Sequence, residues 1–126
     1  MESSGLISVE REQSWIRLIL SPNFGLLPSI DPFKNAIEQH LPEGESNLVL
    51  DMSRVEQLNS VALGALMWLY RRINQQEEGR LVCVGVSDGV REILRFSRLD
   101  RLIPVVSEAD LGSYFGQSDL SHREAP

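Results

Sequence analysis

The sequence predicts a single α/β domain: a mixed, mostly parallel sheet of about five strands carrying about four helices. Three observations lead there. Short apolar runs alternate with amphipathic ones, the order that builds a parallel sheet covered by helices. The first two runs are both strand-like with no helix between them, which adds an antiparallel component. The length of 126 residues suits one domain and buries a core without disulfides or metal.

After a polar start, "LISVERE" and "SWIRLILS" alternate in character and read as paired strands, with Trp15, Arg17 and Ile19 on one face and Ile16, Leu18 and Leu20 on the other. "PNFGLLPSIDP" holds three prolines and a glycine and reads as a loop. Pro32 fits the first turn of a following helix, with Asp31 expected as its N-cap. Phe33, Ala36, Ile37 and Leu41 recur at helical spacing until "LPEGES".

"NLVLDM" is continuously apolar, as a strand buried on both faces should be. A helix follows from about Ser60 to Asn74, then a turn at "QQEEG", a strand "RLVCVGV", and a helix from about Gly89 to Phe96. A short strand "LIPVV" and a last helix near Glu108 to Phe115 complete the domain, assigned residues 1–116. Residues 117–126 form a polar tail expected to fray. No internal repeat or interdomain linker is visible.

Composition narrows the function. Hydrophobic content of 42% and charged content of 24% are ordinary for soluble domains. The formal charge of −6, from 12 basic and 18 acidic residues, argues against nucleic acid as a partner, because a phosphate backbone needs clustered cations. The longest apolar run, Val61 to Tyr70, is far short of the roughly 20 residues of a membrane span, so no membrane insertion is expected. No basic stretch leads into an apolar one, so no signal peptide is expected and the location should be cytoplasmic. Cys83, the lone cysteine, lies in an apolar strand and reads as a small buried hydrophobe.

"GVSDG", Gly85 to Gly89, matches the G-x-S-x-G nucleophile elbow and lies between a strand and a helix. A hydrolase triad would need a downstream histidine, and only His122 follows, in the tail. The competing reading makes Ser87 or Asp88 a cap for the next helix. His40, Cys83 and His122 lack ligand spacing, and no glycine-rich phosphate loop appears, so no catalytic residue, metal or cofactor is expected. His40 reads as a last-turn helix residue.

The informative stretch is "LNSVALGALMWLYRR". Asn59 and Ser60 are both strong N-caps. Ala62, Leu66, Leu69 and Ile73 form the stripe that should face the sheet, which leaves Val61, Met67 and Trp68 as candidates for a partly exposed apolar patch. Gly64 within a helix costs about 1 kcal/mol, a cost that close packing or a partner's approach would offset.

From "NLVLD" to "LIPV" the chain resembles a STAS domain, the family of bacterial anti-sigma factor antagonists, over about half its length without gaps. That family shows a strand ending hydrophobic-Asp-hydrophobic, a short linker, then Asp-Ser-Ser/Thr-Gly-Leu-Gly opening a helix; a later strand and helix resemble "VSDGVREILRFSRLD". The hydroxyl after the Asp is the family's phosphorylation site, which falls on Ser60. The resemblance implies a partner surface of Asn59, Ser60, Val61, Ala62, Leu63, Gly64 and Met67. Departures are Asn59 for the usual Asp, Val61 for Ser or Thr, Ala62 for Gly, and Arg98 where the later helix often ends in Gly; the family's earlier Gly-x-Leu-Asp loop has no counterpart in "SPNFGLLPS".

The resemblance implies a binding partner and not an enzyme. Unmodified protein would bind an anti-sigma factor that is also a serine kinase; the kinase would phosphorylate Ser60 and a phosphatase would restore it. A second reading is a STAS domain that is never phosphorylated and serves as a binding or scaffold subunit, in a signalling assembly or beside a lipid transporter. A homodimer is not predicted.

Overall fold

A computed structural model describes residues 2–3, 5–12, 14–41, 47–76 and 79–115. Its one sheet has strand order β1-β2-β3-β4-β5, the order of the chain, with β1 at Glu2–Ser3, β2 at Ile7–Arg11, β3 at Ile16–Leu20, β4 at Asn47–Asp51 and β5 at Arg80–Val84. The first two pairings are antiparallel and the last two parallel. Each parallel pair is joined through a helix, α1 (Asp31–His40) or α2 (Ser60–Asn74), because parallel neighbours need a crossover. Helices α3 (Asp88–Phe96) and α4 (Leu111–Tyr114) follow β5.

Alternation sets the two faces of the sheet. Ile16, Leu18 and Leu20 are buried, and with Leu48, Leu50, Leu81 and Cys83 they meet α1, α2 and α3 in the main core. Val49, Val82 and Val84 point the other way, onto Leu111 and Phe115 of the α4 segment and Trp15. β4 and β5 are therefore apolar on both sides, as their unbroken hydrophobic runs require. Each such side chain contributes about 1.5–3 kcal/mol on burial.

Three sequence expectations change. "LIPVV" is not a strand: it makes one isolated bridge, Cys83 to Val105, because Pro104 has no N–H to extend a ladder. The fifth strand is instead β1, two residues long and so too short to show a pattern in sequence. Asp31 is the first helical residue and not the cap; Ile30 holds the cap position with no side-chain bond, its carbonyl accepting from Phe33 and Lys34. Residues 117–126 lie outside the described residues.

On the α4 face, Arg17 bonds three carboxylates. Its Nη1 and Nη2 reach Glu108 at 2.6 and 2.9 Å, Nε reaches Glu12 at 2.8 Å, and Nη1 reaches Asp51 at 3.1 Å. Burial pushes the Asp51 carboxyl up, but the Ser53 hydroxyl and amide and the Arg17 guanidinium outweigh it, leaving its pKa below the ordinary 3.8. A depressed carboxylate stabilises the fold fully above its unfolded pKa, and that contribution vanishes as pH falls through the folded value. Asp51→Asn is therefore expected to cost about 2 kcal/mol in urea unfolding at pH 6. The gap to wild type should shrink below about pH 4, and a gap that persists in acid would count against the assignment.

Candidate functional site

The chain crosses from β4 to α2 through a linker fastened at three-residue intervals. Met52, Val55 and Leu58 are all buried, and the Val55 amide donates to the Met52 carbonyl at 3.0 Å. Two glycines let neighbouring backbone approach this linker. A Cβ on Gly25 would lie 1.9 Å from the Gln57 carbonyl oxygen, and one on Gly85 would lie 3.0 Å from the Ser53 Cβ. Gly85 also has φ +70°, the left-handed region that favours glycine. The first glycine of "GVSDG" thus serves loop packing. The Ser87 hydroxyl accepts from the Val90 amide at 3.2 Å, capping α3, while His122 lies outside the described residues.

The linker ends at Asn59, which uses both ends of its amide. Oδ1 accepts from the Ala62 amide at 2.8 Å, the N-cap bond of α2, and Nδ2 donates to the Leu27 carbonyl at 2.8 Å. The Asn59 backbone amide donates to Gly25 at 2.9 Å. One residue thus ties the 3-10 turn Pro22–Leu26 and Leu27 to the start of α2. An aspartate could cap equally well, but it has no proton for Leu27. Asparagine in place of the Asp that the resemblance leads one to expect therefore has a physical reason.

With the cap supplied by Asn59, Ser60 is exposed and its hydroxyl has no hydrogen-bond partner among the described residues. Gly64, Met67 and Arg71 continue its line along α2 at helical spacing; Gly64 and Arg71 are exposed and Met67 half-buried. Val61 and Leu63 flank the line, both half-buried. Ala62 departs from the expected surface: it points to the sheet and is fully buried, so it packs the helix and offers no side chain to a partner. Sequence reasoning missed Leu26, 55% exposed on the turn hydrogen-bonded to Asn59. The signal for it is the pair Leu26-Leu27, whose side chains cannot both face inward from one turn.

Trp68 is half-buried and covered. Its ring meets Phe33 edge-on at 6.0 Å, with Lys34 and Arg72 over it at 5.6 and 5.9 Å. The open apolar surface is therefore the Ser60 end of α2 and not its middle. No neighbour lies within 4 Å of a Cβ built on Gly64, so close packing among the described residues does not compensate for this glycine. Gly64→Ala is expected to stabilise the fold by about 0.5–1 kcal/mol, read as a raised urea midpoint. A loss of stability would mean that the helix surface is not open there.

Burial pushes the Cys83 thiol up to about 12, so it remains protonated at neutral pH. Among the described residues no group of three or more His, Cys, Asp and Glu could hold a metal, and no helix is long and apolar enough to cross a membrane.

Residues 23–105 match the family model described as "Mlab, STAS domain". Curated protein sequences give no match. Among solved structures the chain is similar to a candidate anti-sigma factor antagonist from Thermotoga maritima, at 23% identity and TM-score 0.67, covering 81% of this chain and 86% of that one. It is also similar to an anti-sigma-factor antagonist (STAS) domain protein from Planctomyces limnophilus, at 20% identity and TM-score 0.65, covering 83% and 92%. SpoIIAA in its unphosphorylated form superposes at 16% identity and TM-score 0.60, covering 86% and 94%. At such identities the likeness to these structures is one of fold.

Proposed function

This chain belongs to the STAS domain family, and on that premise we propose that it is an anti-sigma factor antagonist, a binding protein switched by phosphorylation of Ser60. The observation that carries the proposal is the free hydroxyl: Asn59 supplies the cap, so Ser60 has no structural duty at the head of an exposed helix line. The partner is an anti-sigma factor that is also a serine kinase, and a phosphatase resets the switch. The partner surface is Asn59, Ser60, Val61, Leu63, Gly64 and Met67, extended by Leu26. The chain acts in the cytoplasm through residues 1–116, without nucleic acid, membrane insertion or chemistry of its own.

The physics supports a switch without refolding. A phosphate on Ser60 sits at a helix N-terminus, where free N–H groups and the dipole favour negative charge. The same group brings about −1.5 to −2 charge to a surface otherwise built from Leu26, Val61, Leu63 and Met67. A partner docked on that apolar surface would have to desolvate the phosphate, which costs several kcal/mol.

The decisive test is the intact mass of the protein purified from its own cells with phosphatase inhibitors, with the site mapped by fragmentation. A phosphate on Ser60 is the expected result. The absence of phosphate under every growth condition would favour the second reading, a constitutive binding or scaffold subunit. Asn59 supports that alternative: its amide is committed to Ala62 and Leu27 and carries no charge that could help position a kinase.

A further inference from the structure

Among the described residues, the second face of the sheet is covered by one short stretch, residues 107–115, which holds the 3-10 turn Glu108–Asp110 and α4. Its apolar attachment is Leu111 and Phe115, buried on Val49, Val82 and Val84 in a cluster separate from the main core, with the Phe115 ring 5.4 Å from that of Trp15. Its polar attachments lie at the two ends. Glu108 takes both Nη1 and Nη2 of Arg17, and Arg80 donates to the Tyr114 carbonyl at 2.8 Å while its guanidinium lies over the Tyr114 ring. We propose that residues 107–115 form a detachable strap, which lifts from the folded sheet as one unit and is latched shut by Glu108 on Arg17.

Backbone bonding separates this strap from the rest of the domain. The Val106 amide still donates to Cys83 of β5, but beyond it the amides of Asp110, Leu111 and Phe115 donate to Ser107, Glu108 and Leu111, all within the strap. Among the described residues, lifting it therefore breaks no bond of a strand ladder. Strands β4 and β5 keep their register, and Leu48, Leu50, Leu81 and Cys83 stay under the helices of the other face. A four-residue helix with no side-chain cap has little stability of its own, so α4 stands by its packing on the sheet.

The charges make the latch reversible. The Arg17 side chain is only 11% exposed, and a guanidinium so placed with a single partner would hold it tightly, because release would leave a desolvated charge unpaired. Here three carboxylates share it. When Glu108 departs, Nε keeps Glu12 at 2.8 Å and Nη1 keeps Asp51 at 3.1 Å, and one of three mutually repelling groups is removed. Glu108 is the one placed to leave, its side chain 58% exposed against 35% for Glu12 and 16% for Asp51. The lifted strap uncovers an apolar strip of Val49, Val82 and Val84 beside Trp15, on the face of the sheet away from α2. The device is independent of whether Ser60 is modified.

The test is thiol labelling of the full chain with iodoacetamide. Cys83 lies between Val82 and Val84 in β5 but points into the main core, so the native thiol reports global unfolding. In the double variant Cys83→Ala, Val82→Cys the thiol lies beneath the strap instead. It is expected to label at least about 100-fold faster than Cys83 of the native chain, at a rate nearly flat in urea below the unfolding midpoint, whereas Cys83 labelling rises steeply; lifting a strap exposes little surface. Adding Glu108→Gln should speed labelling at position 82 about fivefold, and adding Asp110→Asn, an exposed strap carboxylate not bonded to Arg17, by less than about 1.5-fold. Should the double variant not fold, hydrogen exchange of the native chain reads the same event: the Leu111 and Phe115 amides are expected to share one opening of shallow urea dependence, and the Leu50 amide to follow the steep global one. Equal urea slopes at the two thiols, or at strap and β4 amides, would show that the strap leaves only when the domain unfolds and would overturn the proposal. Labelling unmoved by Glu108→Gln would overturn the latch.

Discussion

Replacing Gly25 by alanine is expected to cost about 3 kcal/mol of stability and to lower Tm by roughly 10 °C. The added methyl would stand 1.9 Å from the Gln57 carbonyl oxygen and 2.9 Å from its carbon. Both atoms are backbone, so no flexible side-chain end can swing away. Gly25 is buried, and its carbonyl accepts the Asn59 amide, so the turn cannot retreat without breaking that bond and straining the one to Leu27. Alanine also lowers the entropy of the unfolded chain, a gain of about 0.4–1 kcal/mol that the clash exceeds. Thermal unfolding reads the loss, and hydrogen exchange at the Asn59 amide should speed up with it. An unchanged Tm would show that the turn is not held against the linker.

The second large effect is on binding. If the proposed switch holds, Ser60→Asp is expected to weaken the complex with the proposed anti-sigma factor partner at least 30-fold, about 2 kcal/mol, while Ser60→Ala stays within about threefold of wild type. Aspartate brings only part of a phosphate's charge, so this is a lower bound on the effect of modification. Stability should move the other way. Ser60 is exposed, and a carboxylate in the first turn of α2 gains about 0.3–1 kcal/mol from the helix dipole. Calorimetric titration together with urea unfolding separates the two, and weakened binding at undiminished stability is the signature of an interfacial charge. Equal binding of both variants would identify the constitutive module instead.

Gly64 belongs to the same logic. Alanine there should stabilise the free protein, yet it places a methyl on the line that Ser60 opens. A glycine that costs stability and has open space beside it is best explained by what approaches from outside.

Features that depend on local sequence are legible in the order of the residues alone. Helix α2 runs from Ser60 to Asn74 as its periodicity and Asn-Ser start imply, and the face of each residue in β3 follows from alternation. Ser87 as a cap is likewise one of two readings that its neighbours allow. What escapes depends on contacts between distant segments. Asn59 reads as a cap from its neighbours, but its second bond reaches Leu27, 32 residues away, and no periodicity encodes that. β1 is two residues long, too short for alternation to show. "LIPVV" has the composition of a strand, and Pro104 removes the ladder that composition promises.

The segment that does not become a strand has a consequence for how the molecule can be recognised. The Cys83 amide donates to Pro104 at 2.8 Å and the Val106 amide donates to Cys83 at 2.9 Å, so the outer edge of β5 is stoppered midway by a kinked piece of the same chain. At the opposite edge β1 is two residues long. A plugged edge on one side and a two-residue edge strand on the other both hinder edge-to-edge pairing of the sheet with a foreign strand. The same features disfavour partner capture by strand addition at the described edges. Recognition is left to side chains on the helices and loops, where one added charge can decide the outcome.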